Sequence, residues 1–267
     1  MTRKNILAAA AALTVLGTAS SQASLTTGLN AYYTFDTDAT DQAGNFNGTV
    51  VGATHTSSGK IGGAYSFSGN QYIDIGVGAP LPVGNDARSI SMWVKPTGSD
   101  LINLYHAGVN TPGQSFNVFL GPNNGGYGNG DDYIYIQRYY EDVITTQTLS
   151  ISPSDWSQFV ISYDGGNPHD LKFYLNGSLV PTDQGFGNGA AFDTAATEQS
   201  IGGGYFGADA IIDEVGIWNR GLTTQDVSDL YNGGAGFQPL QAVPEPSTAG
   251  IASAISFLAA AMRRRRR

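Results

Sequence analysis

The chain carries four glutamates, Glu141, Glu198, Glu214 and Glu245, and three histidines, His55, His106 and His169. Glycoside hydrolysis needs two carboxylates flanking the scissile bond. None of the glutamates has an acidic residue two positions away, the spacing that places two side chains on one face of a strand. Glu141-Asp142 and Asp213-Glu214 are adjacent pairs, which a regular strand directs to opposite faces. These patterns argue against hydrolysis by a paired-carboxylate strand and leave open carboxylates contributed by separate strands. None of the histidines lies in a nucleophile-elbow sequence. His106 falls on the aliphatic side of its strand, the place of a core or edge histidine, and His55 and His169 sit in turn-like segments. Gly202 to Gly207 formally match G-x-G-x-x-G, yet they lead into a strand-like run without a βαβ unit. Gly59-Lys60 is followed by Ile61, so it is no P-loop.

Binding chemistry is better represented. Asp36, Asp38 and Asp41 crowd the segment FDTDATDQAGN, where hard oxygen ligands in a glycine-containing loop suit Ca²⁺. The spacing is not that of an EF-hand, and turn-forming, capping aspartates explain the same residues equally well. A second set is aromatic and amide. Trp93, Tyr105, Asn117, Tyr133, Tyr135, Gln137 and Tyr139 fall on the polar-aromatic side of successive strands. Rings with nearby amides suit the C–H faces and hydroxyls of sugars; ordinary cross-strand pairing of the same rings is the alternative.

The elements that position these residues are short strands at regular spacing. They read as Ala31–Phe35, Ala64–Phe67, Tyr72–Val77, Ser89–Lys95, Leu101–His106, Phe116–Leu120, Tyr133–Tyr139, Gln158–Tyr163, Leu171–Leu175 and Ile211–Trp218. Gly, Asn, Asp and Pro bound most of them. Period-two alternation sets Ile90, Met92 and Val94, Ile102 and Leu104, Phe116, Val118 and Leu120, and Ile134 and Ile136 on one aliphatic side, expected to pack on a second sheet. Asn176-Gly177 between apolar runs predicts a hairpin. One helix is signalled, with Thr223 as cap, Asp226 three residues on, and Val227, Leu230 and Tyr231 on one face.

Composition agrees with an all-β chain. Of 267 residues 36 are glycine and 13% are charged. There is no cysteine, which excludes disulfides, thiolate zinc sites and cysteine nucleophiles. The formal charge of −9 is unevenly spread. Residues 24–242 hold 21 acidic and 6 basic residues, a net −15. Such a surface repels phosphate backbones, so no nucleic-acid partner is expected. Arg3 and Lys4, the apolar run Ile6 to Leu16 and Ser21-Gln22-Ala23 read as a signal peptide over residues 1–23.

Six segments then follow in a fixed order: LNAYYTFDTDATDQAGNFNGTVVGA, GKIGGAYSFSGNQYIDIG, RSISMWVKP, DWSQFVISYDGG, LKFYLNGSLV and IIDEVGIWNRGLTTQDVSDLY. The series, from Leu29 to Tyr231, resembles laminin-G-like jelly-roll domains of the concanavalin A-like lectin and glucanase superfamily. The resemblance implies a two-sheet antiparallel jelly-roll sandwich over residues 24–235, with one short C-terminal helix and with apolar terminal helices outside the domain. It implies no single activity. It also implies a structural Ca²⁺ between the first strand's loop and an aspartate near the last strand, here Asp36, Asp41 and Asp213.

Residues 236–242 read as a linker. Beyond it, Pro244-Glu245-Pro246, an apolar run from Ala249 to Met262 and Arg263, Arg264, Arg265, Arg266 and Arg267 resemble the PEP-CTERM sorting signal of Gram-negative bacteria, residues 243–267. The apolar run would make about 21 Å of helix, short of a hydrocarbon core of about 30 Å. That length suits transient inner-membrane insertion. The resemblance implies an exosortase-type processing protease and release to the cell surface or an extracellular matrix. The expected function is non-catalytic: an exported domain that binds polysaccharide or surface glycan, or acts in adhesion. A structural protein without a glycan ligand, or a polysaccharide hydrolase or lyase with an unrecognised site, are the alternatives.

Overall fold

Among the described residues sixteen strands form two eight-stranded antiparallel sheets. In the computed structural model, residues 24–240 are described apart from 45, 79, 99–100, 123–131, 140, 154, 185–189 and 204–206. The expected signal peptide and sorting segment therefore lie outside the described residues. In chain order the first strands are β1 (Leu29–Tyr33), β2 (Thr49–Val51), β3 (Thr54–Thr56), β4 (Ala64–Phe67) and β5 (Tyr72–Val77). Next come β6 (Arg88–Pro96), β7 (Ile102–Ala107), β8 (Asn117–Pro122), β9 (Asp132–Gln137) and β10 (Val143–Thr145). The last are β11 (Ser157–Tyr163), β12 (Lys172–Leu175), β13 (Ser178–Val180), β14 (Thr182–Gln184), β15 (Glu198–Gly202) and β16 (Ala210–Trp218).

The first sheet runs β13-β12-β11-β6-β16-β4-β3, with β1 also paired to β16. The second runs β14-β10-β9-β8-β7-β15-β5-β2. The aliphatic sides expected from alternation meet between the sheets: Ile90, Met92 and Val94 of the first share one buried cluster with Ile102, Leu104, Val118, Leu120, Ile134 and Ile136 of the second. Burial of such side chains contributes about 1.5–3 kcal/mol each and is the main term holding a cysteine-free sandwich together. One unit spans Gly28–Gln238; Gln238, three residues past the expected end of the domain, donates to Glu214 at 2.7 Å.

Local chemistry explains the connections. Asn176 and Gly177 take positive φ, 50° and 77°, and close the tight β12–β13 hairpin, with Leu175 opposite Ser178. Helix α1 (Thr224–Tyr231) starts at a capping box, in which Thr223 accepts from the Asp226 N–H and Asp226 accepts from the Thr223 N–H. Arg220 adds a 2.9 Å ion pair to the same aspartate. Among the described residues no helix is long and apolar enough to cross a membrane.

Candidate functional site

A β-bulge decides which side chains of the second sheet face outward. The register between β7 and β8 shifts between Asn103 and Tyr105, and an extra residue in one strand inverts the alternation beyond it. Leu104 and Tyr105 both join the core, where the Tyr105 hydroxyl donates to Gln199 Oε1 at 2.7 Å. His106 is consequently turned to the outer face, contrary to the expectation that it lies on the aliphatic side.

His106 completes a polar row across neighbouring strands. Ser200 of β15 pairs with Asp74 of β5 on one side and with His106 of β7 on the other. The row continues through Asn117 of β8, paired with Gln137 of β9 and donating to its Oε1 at 3.2 Å. An open depression of about 360 Å³ lies over one end, lined by Asn70, Tyr72, Asp74, His106, Glu198 and Ser200. Burial lowers the His106 pKa, while neighbouring Asn117 and the Glu198 carboxylate pull the other way. His106 is thereby biased toward its neutral form, with one ring nitrogen to donate and one to accept.

The seven aromatic and amide residues expected on one face are only partly brought together. Asn117, Tyr133, Tyr135 and Gln137 alternate with the core residues Val118, Ile134 and Ile136 and so share the outer side of the second sheet. Tyr135 is 8% exposed and stacks on Phe119, with ring centroids 5.0 Å apart. These two rings form a satellite cluster with Ile144, against which Tyr133 packs. Tyr105 points into the core because of the bulge. Trp93 belongs to the other sheet, where it stacks on Tyr231 of α1 at 5.9 Å and carries the Lys60 ammonium 4.3 Å above its ring. Tyr139 lies beyond the end of β9 with a left-handed backbone, φ 56°. Residues that sequence reasoning missed, Tyr72, Asp74, Glu198 and Ser200, sit on or beside β15, a short and mostly polar strand. The alternation of Glu198 and Ser200 with Gln199 and Ile201 was its signal.

The acidic residues have other roles. Asp41 accepts from the N–H groups of Tyr32 (2.8 Å), Ala43 (2.9 Å) and Phe46 (3.2 Å) and thereby organises its own loop. Asp213 accepts from the N–H groups of Lys60 (2.7 Å), Ile61 (3.0 Å) and Glu214 (2.8 Å). Asp36 accepts from Gly63 N–H at 3.1 Å. Asp36, Asp41 and Asp213 thus accept from backbone amides of separate segments and, as placed, are not gathered into one ligand set that fits Ca²⁺. Among the described residues no three acidic, histidine or cysteine side chains meet in metal-binding geometry.

Asp213 and Glu214 also depart from the opposite-face expectation. A second register shift separates Asp213 from Gly216, Glu214 takes φ 52°, and both side chains are buried. Glu214 accepts from the Tyr32 hydroxyl and from Gln238. Burial pushes the Glu214 pKa up to about 8, and the Asp213 and Asp36 carboxylates add to it. Burial likewise raises Asp213 to about 7, against the pull of its three amide donors. The pair is buried in β16, which pairs edge to edge with β1, rather than open to a substrate.

Residues 67–228 match the concanavalin A-like lectin/glucanases superfamily. The chain belongs to this superfamily. A search of curated proteins gave no match. Among solved structures, domain 4 of AbnA, an extracellular GH43 arabinanase from Geobacillus stearothermophilus crystallised with arabinotriose, is 26% identical. Its TM-score is 0.58, and the alignment covers 75% of this chain and 97% of that one. The binding domain of Paraclostridial Mosquitocidal Protein 1 is 18% identical, with a TM-score of 0.59, over 78% of this chain and 52% of that one. The ligand-binding domain of Botulinum neurotoxin serotype D, solved with N-acetylneuraminic acid, is 16% identical, with a TM-score of 0.57, over 80% and 52%. The chain spans about half the length of the two toxin domains and shares their fold. Its own fold is thus that of a superfamily that includes lectins and glucanases.

Proposed function

We propose that this is an exported, surface- or matrix-associated domain that binds glycan without transforming it. The observation that carries the reading is the polar row Asp74, Ser200, His106, Asn117 and Gln137, with an open depression over its Asp74–Ser200–His106 end. Sugar hydroxyls both donate and accept, and such a row offers both functions on rigid strands. Tyr72 adds a ring at the rim, where it can lie against a sugar's C–H face. The arabinotriose complex of the similar arabinanase domain supports the reading.

Export rests on the N-terminal charged and apolar pattern, and release to the surface of a Gram-negative cell on the Pro-Glu-Pro and arginine segment. The segment would be inserted transiently in the inner membrane and removed by an exosortase-type protease. Pulse labelling is expected to show a loss of about 2–3 kDa as the terminal segment is removed; a stable full-length membrane form would refute processing. For binding, the full-length protein is expected to be retained on a polysaccharide column, and His106→Ala to weaken retention with little loss of stability. Absence of binding across a broad glycan array would count against the reading. Asp74 and Glu198 line the same depression, which favours hydrolysis as the competing reading, since that chemistry also uses two carboxylates. Release of reducing ends from a bound polysaccharide would establish it instead.

A further inference from the structure

Histidine is the side chain that ordinarily changes charge between about pH 5 and 8, and the depression holds one, His106. The β7–β8 ladder runs from Tyr105 opposite Val118 to Phe116 N–H on Ala107 O at 2.8 Å, which sets His106 beside Asn117. The hydrogen bonds of this row run in one direction. The Asn117 amide nitrogen donates to Gln137 Oε1 at 3.2 Å, which leaves the amide oxygen to receive the His106 N–H. On the other flank Ser200 directs its hydroxyl proton to Gly202 O at 3.3 Å rather than to the imidazole. One ring nitrogen is thus spent on Asn117, and the second is left to the depression. In the neutral ring that second nitrogen is an acceptor. The titratable groups that face His106 are Glu198 of β15 and Asp74 and Tyr72 of β5; β8 and β9 present the amides Asn117 and Gln137.

We infer that His106 makes glycan binding at this depression sensitive to acid: its neutral ring, oriented by Asn117 as a positioning residue, accepts a hydrogen bond from a sugar hydroxyl, and protonation releases the glycan. The inference rests on the glycan-binding reading and adds a regulation to it. Two effects act in the same direction. Protonation turns the accepting nitrogen into a donor and draws the ring toward the Glu198 carboxylate, so that the two groups satisfy each other instead of a ligand. A neutral sugar laid over the ring also removes water from it, which costs the imidazolium more than the imidazole. Affinity is therefore full above the His106 midpoint and falls by about tenfold for each pH unit below it. Burial holds that midpoint under the ordinary value of 6.5, so the loss belongs to acid rather than neutral conditions.

The test reads an array of uncharged glycans with the full-length protein at pH 8 and pH 5, beside an NMR titration of the protein labelled with ¹⁵N in its histidine rings. His106 is expected to show one neutral tautomer at pH 8, and the array signals to fall as it is protonated. His106→Gln keeps a donor toward Asn117 and an acceptor toward the depression without titrating, so whatever binding it retains should be equal at the two pH values. Asn117→Asp sets a carboxylate against the ring and should move the His106 midpoint and the loss of binding upward together. Melting curves at both pH values check that the fold persists. Three results would overturn the inference and leave the glycan reading standing: signals equal at pH 8 and pH 5, an acid loss that persists in His106→Gln, or a loss that does not follow the Asn117→Asp midpoint. An array without signal at either pH would remove both.

Discussion

Burying two adjacent acids makes the stability of this domain depend on pH in an unusual direction. Asp213 and Glu214 are raised to about 7 and about 8 from ordinary values of 3.8 and 4.5. Asp36 and the Tyr32 hydroxyl, itself raised by burial, are the titratable groups that bear on both. Over the interval between the ordinary and raised values the folded chain holds protons that the unfolded chain has released. Stability therefore falls as pH rises through that window and levels off above it. Tm is expected to be higher at about pH 5 than at about pH 8, and Glu214→Gln should flatten the slope. A Tm that climbs over that interval would show that the pair is ionised in the fold. The unconverged aspartates give a companion expectation: EDTA and Ca²⁺ should leave Tm unchanged, and a Ca²⁺-dependent rise would reveal a ligand set these contacts do not suggest. At Trp93 the role moves from binding to packing. Trp93→Ala should cost about 3–5 kcal/mol in a denaturant titration without changing retention on a polysaccharide column.

At the level of elements, capping, hairpins and alternation were legible in the chain, while irregularities were not. The Thr223 cap is both written in LTTQD and made in the structure. Thr223→Ala is expected to cost about 1 kcal/mol, read as a lower denaturation midpoint. Long strands such as β6 and β9 announce themselves because five or more residues repeat the period. β2, β3, β10 and β14 have three residues each, too few to repeat it, and most lie at or near sheet margins, where exposure removes the apolar half of the pattern. The register shifts in β7 and β16 are among several in the sheets and interrupt the period-two pattern without a recognisable signal in the alternation itself. That is why Tyr105 and His106 exchange sides relative to simple alternation. Residues of the candidate site were harder to read than core residues for the same reason: Ile102 and Leu104 are apolar in any register, whereas the outward set depends on where the register slips.

The whole chain joins an acidic composition to a core without sulfur bridges, since it has no cysteine. Near the end of the described residues one tie is distant in sequence: Gln238 reaches back to Glu214. A fragment ending at residue 240 is expected to melt higher than one ending at 235, and identical melting curves would show that this tie contributes nothing. The superfamily assignment was readable from six ordered segments because each spells out a strand and its turn. The candidate site was not, because the polar row gathers residues from β5, β15, β7, β8 and β9, which lie side by side only after folding.

The shift in β7 also bears on how such a domain can diversify. Straightening the bulge at constant length would slip the pairing of the residues that follow by one, turning Tyr105 outward and His106 inward without altering any amino acid. Loss of Leu104 would instead remove the irregularity and keep both residues on their present sides. Point substitutions tune an existing surface by degrees; a slip of this kind would replace an imidazole by a phenol in a single event. Related chains whose strand is regular here at the same length should therefore differ in their outer surface more sharply than their overall identity suggests.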